Sequence, residues 1–335
     1  MEDILEVRDF PETQTGKGLV AIKAIIAGTR ILCEKPLLIT PMEVTLTDEH
    51  ESRLATRLKA RPKYEQRQFL SLHNNYAGSR HPLSGVLKSN SLPCGAGQDF
   101  GTRAVYRLIS LINHSCSPNA CHNWNEDAGH MTVHTTKDIQ AGEQIFISYG
   151  GKGPTASRQA FLKEHFGFDC ACETCSRPIE HVSRWDSDER RQALVKLEQL
   201  ALNESRVQTA PAACLQDCLD TLLVLHLEKL YGRQQAEVHE RALSIAMSHG
   251  DVLRGGIFLK EAFHVRMTCE GADSPATRRL VSFLVGFTQH PDLRKYSRQW
   301  DPIPTDMTQG QYESWLYRTG EVRSGLDGQS APKME

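Results

Sequence analysis

The sequence predicts an α+β protein in which a β-rich domain with a helical insert precedes an all-α domain. Up to about residue 180, short β-branched or aromatic runs are often interrupted by Gly, Pro and Asn, which is typical of strands with irregular connections. After residue 185, apolar residues recur at helical spacing over long segments. The change in pattern predicts a boundary between two regions near residue 180.

The first region contains several candidate strands. They lie at residues 18–26, 29–38, 131–134 and 144–148. Residues 47–72 instead show loose helical spacing with an acidic first turn, and Pro62 is expected to divide this helical segment in two. Residues 73–97 are polar and rich in Gly and Pro, so they are expected to be mostly loop.

The second region is predicted to consist of helices joined by short links. The candidates lie at residues 190–202, 213–230, 234–249, 252–269 and 275–287. Short links between helices of this length favour antiparallel hairpins similar to tetratricopeptide arrays, although the sequence has no clean repeat. The polar tail at residues 319–335 is expected to be disordered.

The bulk composition excludes several classes of protein. The formal net charge is −2, so no global field favours nucleic acid or membrane, and sequence-specific nucleic-acid binding is not expected. The N-terminal segment is acidic, and no run approaches the roughly 18 apolar residues of a membrane span. We therefore expect a soluble protein of the nucleus or cytoplasm. We also expect a monomer, because two regions of one chain can bury each other.

Ten cysteines require an explanation in a protein expected to lie in a reducing compartment. Three of them, Cys170, Cys172 and Cys175, fall within six residues. Such a cluster is typical of metal ligands, and structural zinc takes four ligands, often thiolates. The other seven cysteines are spread along the chain, and most of them are expected to fill apolar space.

Three motifs follow one another in the first region. Residues 113–120 read NHSCSPNA, residues 147–150 read ISYG, and residues 166–175 read FGFDCACETC. In this order and at these distances they resemble the signatures of the SET domain family of protein-lysine methyltransferases. The segments GKGLVA at 16–21 and EKPLL at 34–38 are similar to the opening of the same domain, so the resemblance extends to about residue 178.

Within this family the chain resembles the SMYD branch, to which its helical second region is also similar. SMYD proteins carry a MYND zinc module between two parts of the SET domain, but the corresponding residues 44–89 contain no cysteine. The better comparison is therefore with fungal SET proteins that lack this module. Partner binding of the MYND type is not expected.

The resemblance implies a fold and a domain organisation. The fold would be an irregular β-rich SET fold, a pseudoknot in which one segment passes through a loop. The SET domain would span residues 1–150, with its helical insert at about 46–90, and a post-SET zinc segment would span 151–180. A tetratricopeptide-like helical domain would occupy residues 185–318.

The resemblance also implies two bound groups, zinc and S-adenosylmethionine. The implied zinc ligands are Cys116, Cys170, Cys172 and Cys175. The implied contacts of S-adenosylmethionine are Gly16, Lys17, Gly18, Asn90, Ser110, Asn113, His114, Tyr149 and Phe168. Glycine allows the backbone to approach a ligand closely, and amide and imidazole groups offer donors and acceptors for its polar ends.

A competing motif overlaps this cofactor segment. Residues 16–21 also fit the dinucleotide fingerprint G-x-G-x-x-A, and Glu34 lies roughly 20 residues further on. That fingerprint requires a strand immediately before it and a crossover helix after it. Neither is predicted, so a nicotinamide enzyme is disfavoured.

The implied reaction is methyl transfer to a neutral lysine amine of a protein substrate, histone or non-histone. Tyr149 is the predicted catalytic residue, because its hydroxyl corresponds to one that orients the methyl group and the lysine nitrogen. Phe166 is predicted to line the lysine channel, where SMYD relatives often have tyrosine. The missing hydroxyl would favour methylation beyond the first step.

Two alternatives remain open at this point. One is a catalytically silent SET protein that acts as a scaffold and binds a partner through its helical region. The other is a metal-stabilised interaction module that binds zinc without S-adenosylmethionine. Titration with both ligands separates the second alternative from the other two hypotheses.

Overall fold

The computed structural model describes residues 3–10, 16–95, 101–178, 182–298 and 308–319. Contacts within the chain divide it into two units. The first unit comprises residues 1–189 and 267–275, and the second comprises residues 190–266 and 276–335. All strands of the described ranges lie in the first unit, whereas the described part of the second unit contains helices and turns only. The predicted α+β class is confirmed.

The strands of the first unit are short. They are β1 Leu5–Phe10, β2 Gly16–Ala21, β3 Arg30–Glu34, β4 Leu38–Pro41, β5 Leu92–Cys94, β6 Thr102–Val105, β7 Asn113–His114, β8 Ala120–Asn125, β9 His130–Thr135 and β10 Phe146–Ile147. Antiparallel pairing gives the sheets β1-β2, β3-β9-β8 and β4-β6-β5. The pair β7-β10 is parallel. Several small sheets therefore surround the core, and none of them dominates it.

Two predicted strands are shorter than the apolar runs suggested. β2 ends at Ala21, and further along the run only Ile25 continues the pairing, through an isolated bridge to Ile139. Pro36 separates β3 from β4, because proline has no N–H to donate to a ladder. The strands predicted at 131–134 and 144–148 are present as β9 and β10.

The core of the first unit collects the apolar faces of these strands. Its fully buried members include Leu19, Ile31, Leu32, Ile109, Ile112, Met131, Val133, Ile145 and Ile147. Burying aliphatic side chains of this size contributes about 1.5–3 kcal/mol each. The two segments that carry the NHSCSPNA and ISYG motifs are thereby anchored in the same core.

The helical insert consists of α1 Asp48–Lys59, α2 Lys63–Leu70 and α3 Pro82–Asn90. The predicted helical segment with a break at Pro62 is confirmed, since Pro62 precedes the first residue of α2. The expectation of mostly loop over residues 73–97 is wrong, because α3 and β5 lie there. The N-terminus of α3 is capped from a distance: the Glu51 carboxylate accepts bonds from Leu83 N at 2.8 Å and Ser84 N at 2.9 Å. No local sequence signal marks such a cap.

Eight further helices follow in the described ranges. They are α4 Thr155–Phe166, α5 Val182–Ala201, α6 Glu204–Thr209, α7 Pro211–Leu227, α8 Arg233–Ser248, α9 Val252–Glu270, α10 Pro275–Val285 and α11 Gln309–Leu316. Each helix predicted in the second region overlaps one of these. α4, α6 and α11 were not predicted. The tail predicted to be disordered lies outside the described residues, apart from residue 319.

In the described part of the second unit, the apolar side chains form one large cluster. Its fully buried members include Leu215, Leu243, Ile245, Met247, Phe258 and Leu259. Buried ion pairs add to it: Glu228 accepts from Arg190 at 2.7 Å and from Arg191 at 2.8 Å. Among the described helices, none is long and apolar enough to cross a membrane.

The C-terminal end of α9 belongs to the first unit, together with the residues up to 275. Asp273 forms an ion pair with Arg30 of β3, and its carbonyl oxygen accepts from Asn125 Nδ2 at 2.9 Å. The Cys121 thiol on β8 donates to the carbonyl of Cys269 at 2.9 Å. We call residues 267–275 the return segment. It bonds to both edge strands, β3 and β8, of the β3-β9-β8 sheet.

Candidate active site

Gly18 and Asn113 bring the first predicted cofactor segment against the NHSCSPNA motif. Asn113 Nδ2 donates to the carbonyl oxygen of Lys17 at 3.1 Å. A β-carbon at Gly18 would lie 2.9 Å from Asn113 Nδ2 and 2.8 Å from the Phe10 ring, so only glycine fits this approach. Residues 16–21 form a strand, and no crossover helix follows them. This geometry excludes the dinucleotide fingerprint.

The short parallel pair β7-β10 aligns the other two motifs. Asn113 faces Phe146 and His114 faces Ile147, and Ser115 N continues the pairing to Ile147 O at 3.0 Å. The side chain of Asn119 holds β10 in place: its Oδ1 accepts from Phe146 N at 2.7 Å, and its Nδ2 donates to a carbonyl at 2.8 Å. Asn119 lies within the motif, but no local pattern in the sequence indicates this bridging role.

Tyr149 is held at both of its polar groups. Its backbone N–H donates to His114 Nδ1 at 3.0 Å, and its hydroxyl donates to Ile112 O at 2.6 Å. Burial raises the pKa of the phenol above its usual value, so the hydroxyl stays protonated. Because Nδ1 of His114 accepts a bond, the proton of the neutral imidazole lies on Nε2.

Aromatic rings surround the Tyr149 side chain. The ring centroid of Phe166 lies 4.8 Å from that of Tyr149, and Phe168 meets Tyr149 edge-on at 6.2 Å. His114 lies 5.4 Å from Tyr149 and 6.1 Å from Phe168. The structure therefore brings four of the predicted site residues into one apolar wall.

The end of α4 positions two of these rings. Gly167 caps the helix in the left-handed conformation with φ at 80°, which turns the chain between Phe166 and Phe168. A β-carbon there would lie 2.7 Å from the Tyr76 ring, so the position needs glycine for space as well as for conformation. Asn75 Nδ2 donates to Phe166 O at 2.9 Å and fixes the turn against the helical insert.

Asn90 and Ser110 form a hydrogen-bonded pair of their own. Ser110 Oγ donates to Asn90 O at 3.0 Å and accepts from Tyr106 N at 2.9 Å. The Asn90 amide donates to Val86 O at 2.7 Å and to His73 O at 2.6 Å. Their donors are thus directed to the protein backbone, and the acceptor Oδ1 of Asn90 is the polar atom that these bonds leave for a ligand.

Cys116, Cys170, Cys172 and Cys175 converge on one point. Their sulfur atoms all lie within 4.8 Å of one another, and Cys116 Sγ is 4.0 Å from Cys170 Sγ and 3.6 Å from Cys175 Sγ. Tetrahedral zinc with Zn–S bonds of about 2.3 Å requires sulfur separations of roughly 3.8 Å. The four predicted ligands could therefore hold a metal ion of this kind. Hydrogen bonding with the neighbouring Cys116 and Cys170 thiols lowers the pKa of Cys175.

Cys116 connects this cluster to Tyr149. His114 Nε2, which carries the proton, lies 3.3 Å from Cys116 Sγ, while His114 Nδ1 accepts from Tyr149 N. One imidazole therefore links a candidate metal ligand to the predicted catalytic residue. Hydrogen bonds of this type fix the orientation and the donor strength of metal ligands.

Two buried arginines beside the site were not predicted. Arg158 of α4 is 1% exposed and donates to sulfur atoms of the cluster. Arg103 of β6 is 6% exposed, with its guanidinium carbon 5.7 Å from the Phe166 ring centroid. Burial lowers the pKa of Arg103 to about 10, and among the described residues its Nε has no hydrogen-bond partner. In the sequence both read as ordinary surface arginines, so no local signal distinguishes them.

Comparison with known proteins agrees with this geometry. The SET domain profile matches residues 16–150. The histone-lysine N-methyltransferase set5 of Schizosaccharomyces pombe is 32% identical to the chain over 281 residues, which cover 84% of each protein. The chain belongs to the SET domain family. The resemblance inferred from the motifs is therefore confirmed.

Other relatives match the chain over shorter stretches. The protein-lysine N-methyltransferase SMYD4 of Homo sapiens is 32% identical over 89 residues, which are 25% of this chain and 11% of SMYD4. The histone-lysine N-methyltransferase ASHR1 of Arabidopsis thaliana is 32% identical over 116 residues, which are 34% of this chain and 22% of that protein. The match to SMYD4 supports the SMYD-like character of the chain.

Proposed function

We propose that this SET domain protein transfers a methyl group from S-adenosylmethionine to the side-chain amine of a protein lysine. The observation that carries the proposal is the placement of Tyr149, whose hydroxyl is fixed and whose ring is enclosed by His114, Phe166 and Phe168. The names of the relatives, which are histone-lysine and protein-lysine methyltransferases, support the same reaction.

The cofactor site would be formed by the backbone of residues 16–18, Asn90, Ser110, Asn113, His114 and Phe168. Bound there, S-adenosylmethionine would supply an electrophilic methyl group on a sulfonium. Asn113 already anchors the glycine-containing strand through Lys17 O, so it would hold the backbone of this strand at the ligand. Phe168 would offer an aromatic face for the adenine.

The substrate lysine must be neutral to act as a nucleophile. Its free pKa is about 10.4, so most of it carries a proton at neutral pH. The apolar wall of Phe166, Phe168 and Tyr149 disfavours the ammonium form, and the proton would leave to solvent before the amine enters. No strong base is then required at the site.

Tyr149 would orient the amine and would not deprotonate it. Its raised pKa keeps the phenol neutral, and its single hydrogen is already donated to Ile112 O. The lone pairs of the phenol oxygen remain free to accept an N–H of the lysine, which turns the nitrogen lone pair toward the methyl group. Phe166 cannot add a second hydroxyl contact, so the amine could rotate and accept further methyl groups.

We infer that the four cysteines bind zinc. Sulfur separations of 3.6 and 4.0 Å support a tetrahedral thiolate site, and soft ligands of this kind favour zinc. A closed site without an open position is structural. The zinc would join Cys116, close to the cofactor residues, to the three cysteines that follow α4.

We propose a histone as the first substrate to test, and hence action in the nucleus, because relatives of this chain are named histone methyltransferases. Substrate choice would depend on the helical insert α1–α3 and on the wall around Phe166. The intact set of Asn113, His114 and Tyr149 favours an enzyme over a silent scaffold.

The first test is isothermal titration of the zinc-loaded protein with S-adenosylmethionine. Wild type and Tyr149→Phe are expected to bind, and the double variant Asn113→Ala/His114→Ala is expected not to bind. Asn123→Ala is the matched control for Asn113, because both side chains are 9% exposed, and it is expected to bind normally. Absence of binding by zinc-replete wild type would refute the proposal.

The second test measures methyl transfer to core histones by mass spectrometry. Tyr149→Phe is expected to lower the rate by about 10²–10³-fold, as is typical when one oriented polar contact to the reacting groups is removed. Di- or trimethylated product is expected with Phe166 intact. A product limited to monomethyllysine would contradict the inference from Phe166.

A further inference from the structure

Arg158 is the largest of the fully buried side chains in the described residues, with 1% exposed surface. It lies near the start of α4, four positions after Pro154. A buried guanidinium is costly unless its charge is compensated and its donors are bonded. The neighbours of Arg158 should therefore include the negative group that compensates its charge.

Two of the four hydrogen bonds that Arg158 donates go to sulfur. Its Nε donates to Cys116 Sγ at 3.3 Å and its Nη2 donates to Cys175 Sγ at 3.5 Å. The remaining bonds go from Nη2 to Thr155 Oγ1 at 3.1 Å and from Nη1 to Gly153 O at 2.6 Å. One guanidinium therefore spans two cysteines that are distant in sequence.

Asp188 provides the nearest carboxylate, but it is further from Arg158 than the sulfur atoms. Its Oδ1 lies 3.8 Å from Arg158 Nη1, and it accepts shorter bonds from Thr155 N at 2.7 Å and Thr155 Oγ1 at 2.8 Å. Asp188 thus fixes Thr155 at the start of α4, and Thr155 in turn accepts from Arg158. The carboxylate positions the arginine through Thr155, while Nε and Nη2 also reach the two sulfur atoms.

The charge of a loaded cysteine site explains this arrangement. Four thiolates and one divalent zinc ion carry a net charge of about −2 in a buried place. A cation in contact with two of the sulfur atoms offsets part of that charge, and N–H···S bonds fix the directions of the thiolates. Lysine could supply the charge but not the planar fork that reaches both sulfurs.

We propose that Arg158 is a positioning residue of the metal site: its guanidinium clamps Cys116 and Cys175 and offsets the negative charge of the thiolate cluster. The inference rests on the proposed zinc site and is independent of the proposed methyl transfer. Since Cys116 also lies 3.3 Å from His114 Nε2, the clamp would hold the sulfur that contacts the histidine beside Tyr149.

The test measures the rate at which zinc leaves the full-length protein in the presence of a chromogenic chelator. Loss of a partner that orients a metal ligand typically costs about 10–100-fold in affinity, so Arg158→Met is expected to release zinc about 10–100-fold faster. Arg158→Lys is expected to fall between this variant and wild type, because it keeps the charge without the fork. Arg103→Met is the matched control, since Arg103 is 6% exposed in the same unit and bonds to Ser91 O at 2.8 Å.

A second readout reports on the sulfur atoms themselves. In cobalt-substituted protein, Arg158→Met and Arg158→Lys are expected to shift the sulfur-to-cobalt charge-transfer band to lower energy, because the thiolates lose N–H donors. Arg103→Met is expected to leave this band unchanged. A variant that only loosens the fold would not shift the band in this way.

Each outcome decides the proposal. Zinc release from Arg158→Met at the wild-type rate, or equal acceleration in Arg103→Met, overturns the role of Arg158. If Arg158→Met does not fold, Arg158→Lys decides, and a wild-type rate and spectrum for that variant overturn the proposal. Wild type that purifies without stoichiometric zinc and takes up none refutes the proposed metal site itself.

Discussion

The two units of the chain are held together by different means. In the described residues, the first unit divides its apolar core into three clusters and links them by short ladders, buried polar side chains and the convergent cysteines. The described part of the second unit has one apolar cluster among helices, and buried ion pairs add to it. The first unit, which contains the candidate active site, therefore depends on a few specific cross-links, whereas the second depends on continuous packing.

Removal of zinc should produce the largest difference in stability between the two units. Structural zinc contributes about 10–16 kcal/mol of apparent binding energy in small peptides, which equals or exceeds the stability of a typical domain. A chelator is therefore expected to expose the backbone amides around Cys116, Cys170 and Tyr149 to hydrogen exchange. Amides of α7, α8 and residues 252–266 of α9 are expected to keep their protection.

Mass spectrometry with hydrogen exchange measures both units in one sample. Cys172→Ser, which removes one ligand, should reproduce the pattern without a chelator. Equal loss of protection in both units would show that the helical unit also depends on the metal.

Phe258→Ala tests whether the cysteine cluster of the first unit depends on the packing of the second unit. Phe258 is completely buried in the cluster of the second unit and lies 5.4 Å from the Tyr317 ring, so truncation is expected to cost about 3–5 kcal/mol. The rate of zinc release should change by less than about twofold, because Phe258 and the cysteines lie in different packed clusters and sites without shared partners act independently. Urea denaturation gives the stability, and a large acceleration of zinc release would show coupling between the units.

Lowering the pH should destabilise both units, because each contains a histidine that stays neutral in the folded protein. Burial lowers the pKa of His134 in the first unit and of His239 in the second to about 4, below the value of 6.5 for the free side chain. The unfolded chain then binds more protons between pH 6.5 and 4, so each histidine contributes stability above pH 6.5 that is lost as the pH falls towards 4. For His134, 2% exposed, the loss amounts to about 3 kcal/mol.

The contribution of His239 to the pH dependence of stability is measured by urea denaturation of wild type and His239→Leu at pH 7 and pH 4.5. The variant is expected to lose less stability on acidification than wild type, and the difference should be smaller than for His134 because His239 is partly exposed. An identical pH dependence of the two proteins would contradict a buried neutral His239.

The smallest expected effect concerns a local cap in the first unit. Thr47 Oγ1 accepts from His50 N at 3.3 Å at the start of α1. Thr47→Ala should lower the free energy of unfolding by about 1 kcal/mol, and Thr47→Ser should retain it. A larger loss, measured by thermal unfolding, would mean that α1 is more critical to the first unit than its position in the insert suggests.

These contrasts also explain what could be predicted from the sequence. The break at Pro62 and the helices of the second region follow from local rules, and the cysteine spacing indicated a metal cluster. The cap of α3 by Glu51 and the contacts of Arg158 could not be predicted, because they join residues 32 and 42 positions apart. The roles assigned to Asn90, Ser110 and the other cofactor residues stay predictions.

The return segment has a consequence for how the chain is made. Protein synthesis proceeds from the N-terminus, so residues 1–189 leave the ribosome well before residues 267–275, which complete the same unit. Until then Asn125 and Arg30 lack the bonds that Asp273 provides. The nascent first unit would therefore remain incomplete, with these bonds on β3 and β8 unformed, until residues 190–266 of the helical unit have been synthesised.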